Sequence, residues 1–254
     1  MQAHGKIESS KSGKVSLAAA IVIVMGAVLI SVVPSFNGQD LAEIPGPPPA
    51  VAPTRRMTAL WPTEMTPGAY DGVVGRVSYT FRVADRGWWS GTDDGSLFVR
   101  DDPAYGWMRF WDPDQVYGDP CMHMLRPYLG PTARQLADAM AAMPAMRSAA
   151  ITDARVGGYR AYRIDLVPMP DVCRPFDTYL WQASDAGDDS TIRRPRLSDS
   201  HIAVWVLDVN GDRFVIDTEV GSEAGPKATD AIREIVGSVR FLPSPQIVDS
   251  NQFE

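Results

Sequence analysis

Residues Val15 to Val33 form a run of nineteen residues without a charge and with almost no polar side chain, and this run constrains the chain more than any other feature. As a helix rising about 1.5 Å per residue it reaches roughly 28 Å, close to the ~30 Å hydrocarbon core of a bilayer. In lipid a helix satisfies its own backbone N–H and C=O groups, so a single span is stable there. Pro34 lacks an amide N–H and marks the end of the run. Lys6, Lys11 and Lys14 precede it against one acid, Glu8. The positive-inside rule then keeps residues 1–14 cytoplasmic and exports the chain beyond residue 34. A cleaved signal peptide has a shorter apolar core, about 7–15 residues, and a small-residue cleavage site. No convincing A-x-A cleavage site follows Val33. The expectation is an uncleaved single-pass anchor in the cell membrane, contacting lipid through residues 15–33, with an extracytoplasmic C-terminal part.

That exported part is acidic. Setting aside three lysines and one glutamate from the chain's 24 basic and 31 acidic residues leaves 21 and 30, a formal charge of −9. Repulsion from phosphate excludes nucleic acid as a partner and disfavours anionic headgroups. Lys227 is the only exported lysine. Cys121 and Cys173 are the only cysteines, and an oxidising compartment favours joining them in one disulfide. Such a bridge closes about 52 residues and contributes on the order of 4 kcal/mol in the chain-entropy model. The rival is a redox or metal-binding thiol pair, but the spacing is neither C-x-x-C nor a zinc pattern.

Composition and rhythm divide the rest. Residues 34–68 form a Pro-rich linker, with prolines at 45 and 47–49, which favours extended polyproline conformation over a core. Residues 69–242 form the globular domain, and residues 243–254 a flexible tail. Within the domain, period-two alternation marks strands at residues 77–83, 96–99, 107–111 and 159–167. A hairpin spans residues 201–209 and 212–220 about the turn pair Asn210-Gly211, because these residues accept the positive φ that a twisted hairpin needs. Thr132 and Gln135 have capping-box spacing for a helix through Met143, with Leu136 and Met140 on one face. Gly225-Pro226 opens a second helix with an apolar stripe of Ile232, Ile235, Val236 and Val239. Residues 183–200 read as a long surface loop. The expected fold class is α+β: a single transmembrane helix, then a two-layer domain of a mainly antiparallel sheet covered by two helices.

Motifs for catalysis are sparse. His123 and His201 are the only exported histidines. Gly221 to Gly225 has glycine ends but a glutamate at its centre, so the nucleophile-elbow pattern fails. Asp112, Asp114 and Asp119 cluster near Tyr117, Asp208 and Asp212 flank the hairpin turn, and Asp93, Asp94, Asp101 and Asp102 sit in another loop pair. None matches the twelve-residue calcium loop, and the hairpin acids fit turn chemistry. No metal or cofactor is expected. Aromatics are the more suggestive set: Trp88, Trp89, Trp107, Trp111 and Trp181, with Tyr117 and Tyr105 nearby. Adjacent Trp88 and Trp89 point to opposite faces of a strand, which places one of them at a surface or pocket mouth. Core packing accounts for most of the set, and the remainder are candidate ligand-binding residues for an apolar or sugar-stacking cleft.

The order of motifs Gly87-Trp88-Trp89, Val116 to Cys121, Gly157 to Ala161, Val209 to Gly211 and Glu234 to Phe241 resembles a group of uncharacterised actinobacterial membrane-anchored extracytoplasmic proteins, over about residues 70–242. The alternation is also similar to the PsbP-like α+β domain of some exported lipoproteins, from which this chain departs by carrying a helix in place of an acylated cysteine. The resemblance implies a binding or accessory domain with no catalytic residues to carry over. The leading expectation is therefore a non-catalytic cell-envelope module that holds a protein, lipid or glycan near the membrane. Its alternatives are an extracytoplasmic hydrolase using Asp112, Asp114 or Asp119, and a purely structural envelope protein.

Overall fold

The computed structural model describes residues 55–56, 63–91, 96–99, 106–126, 129–174, 177–183 and 192–243. The anchor at 15–33, most of the 34–68 linker, residues 184–191, nearly all of the 243–254 tail, Tyr105, Asp93, Asp94, Asp101 and Asp102 lie outside the described residues. The described remainder of the 183–200 segment corrects the surface-loop expectation, because it holds a short strand at Ile192–Arg193 and buries Arg193 and Ser200. Among the described residues no helix is long and apolar enough to cross a membrane.

The described strands begin with β1 (Arg55–Arg56), β2 (Thr63–Glu64), β3 (Gly68–Val74), β4 (Val77–Val83), β5 (Trp88–Ser90) and β6 (Ser96–Val99). Next come β7 (Gly106–Trp111), β8 (Pro113–Asp119), β9 (Met124–Leu125), helix α1 (Ala133–Ala141), β10 (Met146–Ser148), β11 (Thr152–Val156) and β12 (Tyr159–Pro168). Then follow β13 (Trp181–Ala183), β14 (Ile192–Arg193), β15 (His201–Val209), β16 (Asp212–Val220), helix α2 (Pro226–Ser238) and β17 (Arg240–Phe241). They assemble into three sheets: a central one in the order β10-β12-β15-β16-β7-β6-β5-β2 with β11 also on β12, and flanking sheets β1-β3-β4-β17 and β14-β13-β8-β9. Every pairing is antiparallel except that of β1 with β3.

Local chemistry sets the centre of this fold. Asn210 and Gly211 take φ of 57° and 92°, and β15 and β16 pair from Val209↔Asp212 out to His201↔Val220. The Asp208 carboxylate accepts the Gly211 N–H at 2.7 Å and closes the turn. Thr132 caps α1 as its spacing predicts: its hydroxyl accepts the Gln135 N–H, and the Gln135 side chain accepts the Thr132 N–H. Pro226 opens α2 at its first turn, where the missing N–H costs no helical hydrogen bond.

The two-layer expectation is overturned. The described chain is dominated by strands in three sheets, and its two helices are only 9 and 13 residues long. Burial explains why. All six residues of β7 are buried, as are seven of nine in β15 and in β16, so both faces of the central sheet need cover. Alternate residues face opposite sides. On one side Met108, Phe110, Trp205, Phe214 and Ile216 pack with Tyr79 and Phe81 of β4 and Ile232, Ile235 and Val236 of α2. On the other, Trp107, Trp111, Val204, Val206 and Val215 pack with Leu136 and Met140 of α1, Val116 of β8 and Trp181 of β13. Helices and flanking sheets share the work on each side, producing three layers.

Candidate functional site

The turn between β4 and β5 faces α2 from Pro226 to Glu234 across a cavity of about 610 Å³, inside the ~300–1,000 Å³ range of ligand sites. Asp85, Arg86, Gly87 and Trp88 line one wall. Gly87 at φ 96° turns the chain so that Trp88 enters the wall. The other wall is helical: Lys227, Asp230, Ala231 and Glu234 have the i, i+3, i+4, i+7 spacing of one face. Ile232, Ile235 and Val236 occupy the opposite stripe and anchor that helix in the core. Trp88 is 3 % exposed and supplies an apolar floor. Asp230 is held by Arg233 at 2.5 Å. Among the described residues, Asp85, Arg86, Lys227 and Glu234 have no ion-pair partner, so the rim offers both signs of charge over an aromatic base. Such a site suits a flexible chain carrying both charges.

The sequence-selected aromatics divide between the two sides of the central sheet. Trp107, Trp111, Trp181 and Tyr117 are buried, at 1 %, 2 %, 0 % and 5 % exposure, and the three tryptophans belong to one core cluster. Tyr117 donates to Gln182 Oε1 at 2.9 Å and meets Tyr179 edge-on. Trp88 belongs to the other core cluster, and Trp89 is half-buried beside it in β5. Of the set, Trp88 is the one that reaches the cavity.

Around Trp107 and Trp181 the fold assembles a buried ionic cluster. The Arg193 guanidinium pairs with Asp217 and, at 2.9 Å, with Glu219, all three being buried. It also lies 4.4 Å from the Trp107 ring centroid. Glu219 Oε1 accepts the N–H groups of Arg196 and Leu197 at 2.8 and 3.0 Å. Burial raises the Asp217 carboxyl above its ordinary range, and Arg193 pulls it back only in part. Burial also works against the charge on Arg193, but the two carboxylates outweigh it and hold the guanidinium protonated. The one sequence signal for this cluster is that Asp217 and Glu219, two positions apart in β16, share a face of that strand.

The two histidines sit in different surroundings. His123 stacks on Tyr179 at 3.6 Å with its Nε2 2.9 Å from the Asp177 carbonyl oxygen. His201 lies 3.6 Å from Asp165, whose carboxylate also takes a 2.8 Å bond from Arg163. Burial lowers the His201 pKa, Asp165 opposes the shift, and Arg163 adds to it. At mildly acid pH the unfolded chain, with a His pKa near 6.5, therefore binds more protons than the folded one. Stability is fully present above about pH 6.5 and is lost as pH falls through the lowered folded pKa. Urea midpoints measured from pH 7.5 to 5 should fall, and His201→Gln should flatten that decline; an equal decline in the variant would remove His201 as its source.

Two of the acids have defined partners. Asp119 accepts the N–H groups of Cys121 and Met122, and Asp212 pairs with Arg76. Asp112 approaches the backbone of Gly75, and Asp114 is half-buried in β8. Among the described residues no three His, Cys, Asp or Glu side chains are grouped to hold a metal ion. Cys121 and Cys173, by contrast, are brought into side-chain contact, as two free thiols rather than the expected bridge. Met122, Met124, Leu125 and Val172 are exposed on the segments that carry them.

No protein-family model and no curated protein matches the chain. Among solved structures it is similar to that of LpqN, involved in cell envelope biogenesis of Mycobacterium tuberculosis, with 12 % identity over 72 % of this chain and 92 % of that one. The TM-score is 0.27. A likeness that distant carries no argument about this chain's fold or activity, and nothing found points to a PsbP-like domain.

Proposed function

We propose that this chain is a non-catalytic accessory module of the cell envelope, tethered through residues 15–33, that holds a peptide segment of an envelope protein in the cavity beside α2. The observation that carries the reading is the composition of that cavity: a Trp88 floor under Arg86, Lys227, Asp85 and Glu234. Unpaired rim charges of both signs complement a peptide better than a neutral glycan or an acyl chain. The hydrolase reading draws less support, because Asp119 is engaged in turn hydrogen bonds and His123 bonds to the Asp177 carbonyl.

Lys227 makes the test direct, since it is the only lysine after residue 14 and lines the cavity. A membrane-impermeant amine cross-linker on intact cells should join Lys227 to a reproducible protein partner, identified by mass spectrometry. Lys227→Arg should abolish the adduct, and Trp88→Ala should reduce its yield about tenfold, as expected when an aromatic anchor worth about 1.4 kcal/mol is lost. An unmodified Lys227 on intact cells would refute the outward topology. A modified Lys227 with no protein adduct would refute the peptide occupant.

A further inference from the structure

Cys121 and Cys173 are 52 positions apart, yet the backbone holds both where their side chains meet. Cys121 follows β8 in a turn fixed by Asp119, whose carboxylate accepts the N–H groups of Cys121 and Met122 at 3.1 and 3.0 Å. Cys173 lies in a loop where the N–H groups of Val172 and Cys173 bond to the Met169 carbonyl at 3.0 and 3.4 Å. The Tyr179 N–H donates to the Pro120 carbonyl at 3.1 Å and ties the two segments together.

The surroundings of the two sulfurs differ in kind. The Cys121 S–H donates to the Val172 carbonyl at 3.5 Å. A carbonyl only accepts, so this contact favours the thiol over the thiolate. Cys173 Sγ lies 2.9 Å from the Thr178 hydroxyl, a group able to donate. In the neutral pair that hydroxyl donates to the Arg174 carbonyl at 2.8 Å, and rotation about its C–O bond turns the proton toward a Cys173 thiolate.

We propose that this pair is a disulfide modification site in which Cys173 attacks first and Cys121 resolves. The oxidant is an oxidised protein dithiol, a choice that rests on the reading of this domain as extracytoplasmic. The Cys173 thiol loses its proton to solvent, and its sulfur attacks the donor disulfide. The donor S–S bond breaks, a mixed disulfide forms, and one donor sulfur leaves as thiolate. Cys121 then loses its proton and attacks Cys173 Sγ, expelling the donor's second sulfur. Two thiols are oxidised by two electrons, and the donor disulfide becomes a dithiol. Loss of hydration and the adjacent Cys173 push the Cys121 pKa up, in the same direction as the Val172 carbonyl contact that favours its thiol.

The test uses the full-length chain in detergent with oxidised glutathione at pH 7.5, followed by mass spectrometry. The wild type should lose two hydrogens and retain no glutathione. Cys121→Ser should accumulate a glutathione adduct on Cys173 at least about tenfold faster than Cys173→Ser accumulates one on Cys121, because the Thr178 hydroxyl can donate to a Cys173 thiolate whereas the Val172 carbonyl faces Cys121. A wild type that keeps two alkylatable thiols would overturn the bridge. Equal or reversed adduct rates would overturn the order of attack. A bridge that forms in this buffer but is absent from protein taken from cells would leave the site standing and count against export instead.

Discussion

Arg193→Met is expected to destabilise the domain by about 3–5 kcal/mol, the range for removing one partner of a buried ion pair. Asp217 and Glu219 are both 0 % exposed, and among the described residues Arg193 is the cation that pairs with each of them and offsets their lost hydration. Glu219 cannot simply be made apolar, because its Oε1 also satisfies the N–H groups of Arg196 and Leu197 as the chain enters β15. Asp217→Asn should cost less, about 1–2 kcal/mol, since burial already raises that carboxyl above its ordinary range. Urea unfolding at pH 7 checks the order, and the Arg193 loss should persist in high salt, because a buried pair is poorly screened. A loss under about 1 kcal/mol for Arg193→Met would mean that the cluster contributes nothing net.

Trp181→Ala should destabilise by a similar amount, about 3–5 kcal/mol, through the cavity it leaves. Trp181 is wholly buried, meets Trp111 edge-on at 6.4 Å, and sits where β13 pairs with both β8 and β14. Its ring fastens the β14-β13-β8-β9 sheet to the central one. The expected signature is a lower urea midpoint with an unchanged slope, and unchanged cross-linking at Lys227 under conditions where the variant is folded. Trp88→Ala should also destabilise, since its ring is part of a core cluster. Unlike Trp181→Ala, it should reduce capture even where the variant is folded, because the ring lines the cavity. If Trp181→Ala reduced Lys227 capture as much as Trp88→Ala, the division between core and ligand-facing tryptophans would be wrong.

Several parts of the structure were legible residue by residue. The Asn210-Gly211 turn, the Thr132 and Gln135 capping box, the Pro226 helix start and the apolar stripe of Ile232, Ile235 and Val236 all appear where local pattern places them. The Trp88-Trp89 pair also divides as a strand's alternation requires, one buried and one half-buried. The number of layers was not legible. Period-two alternation at residues 77–83 suggests one wet face, and β4 does alternate in burial; the continuous runs of β7, β15 and β16 required cover on both faces. Arg193 gave no signal beside a polar loop, because its value as a buried cation depends on carboxylates 24 and 26 positions away.

What the sequence determined by itself was therefore short-range: where strands turn, where helices start, and which residues share a face. These follow from φ preferences, capping hydrogen bonds and side-chain periodicity, all acting within a few residues. Tertiary structure alone decided which sheet lies over which, why three tryptophans are core, and how Trp88 comes to line a cavity with α2. It also brought together two thiols separated by 52 positions. Pairings such as Val215 with Trp111 join segments about a hundred residues apart, and burial of the whole apolar surface, which no local window contains, selects among them.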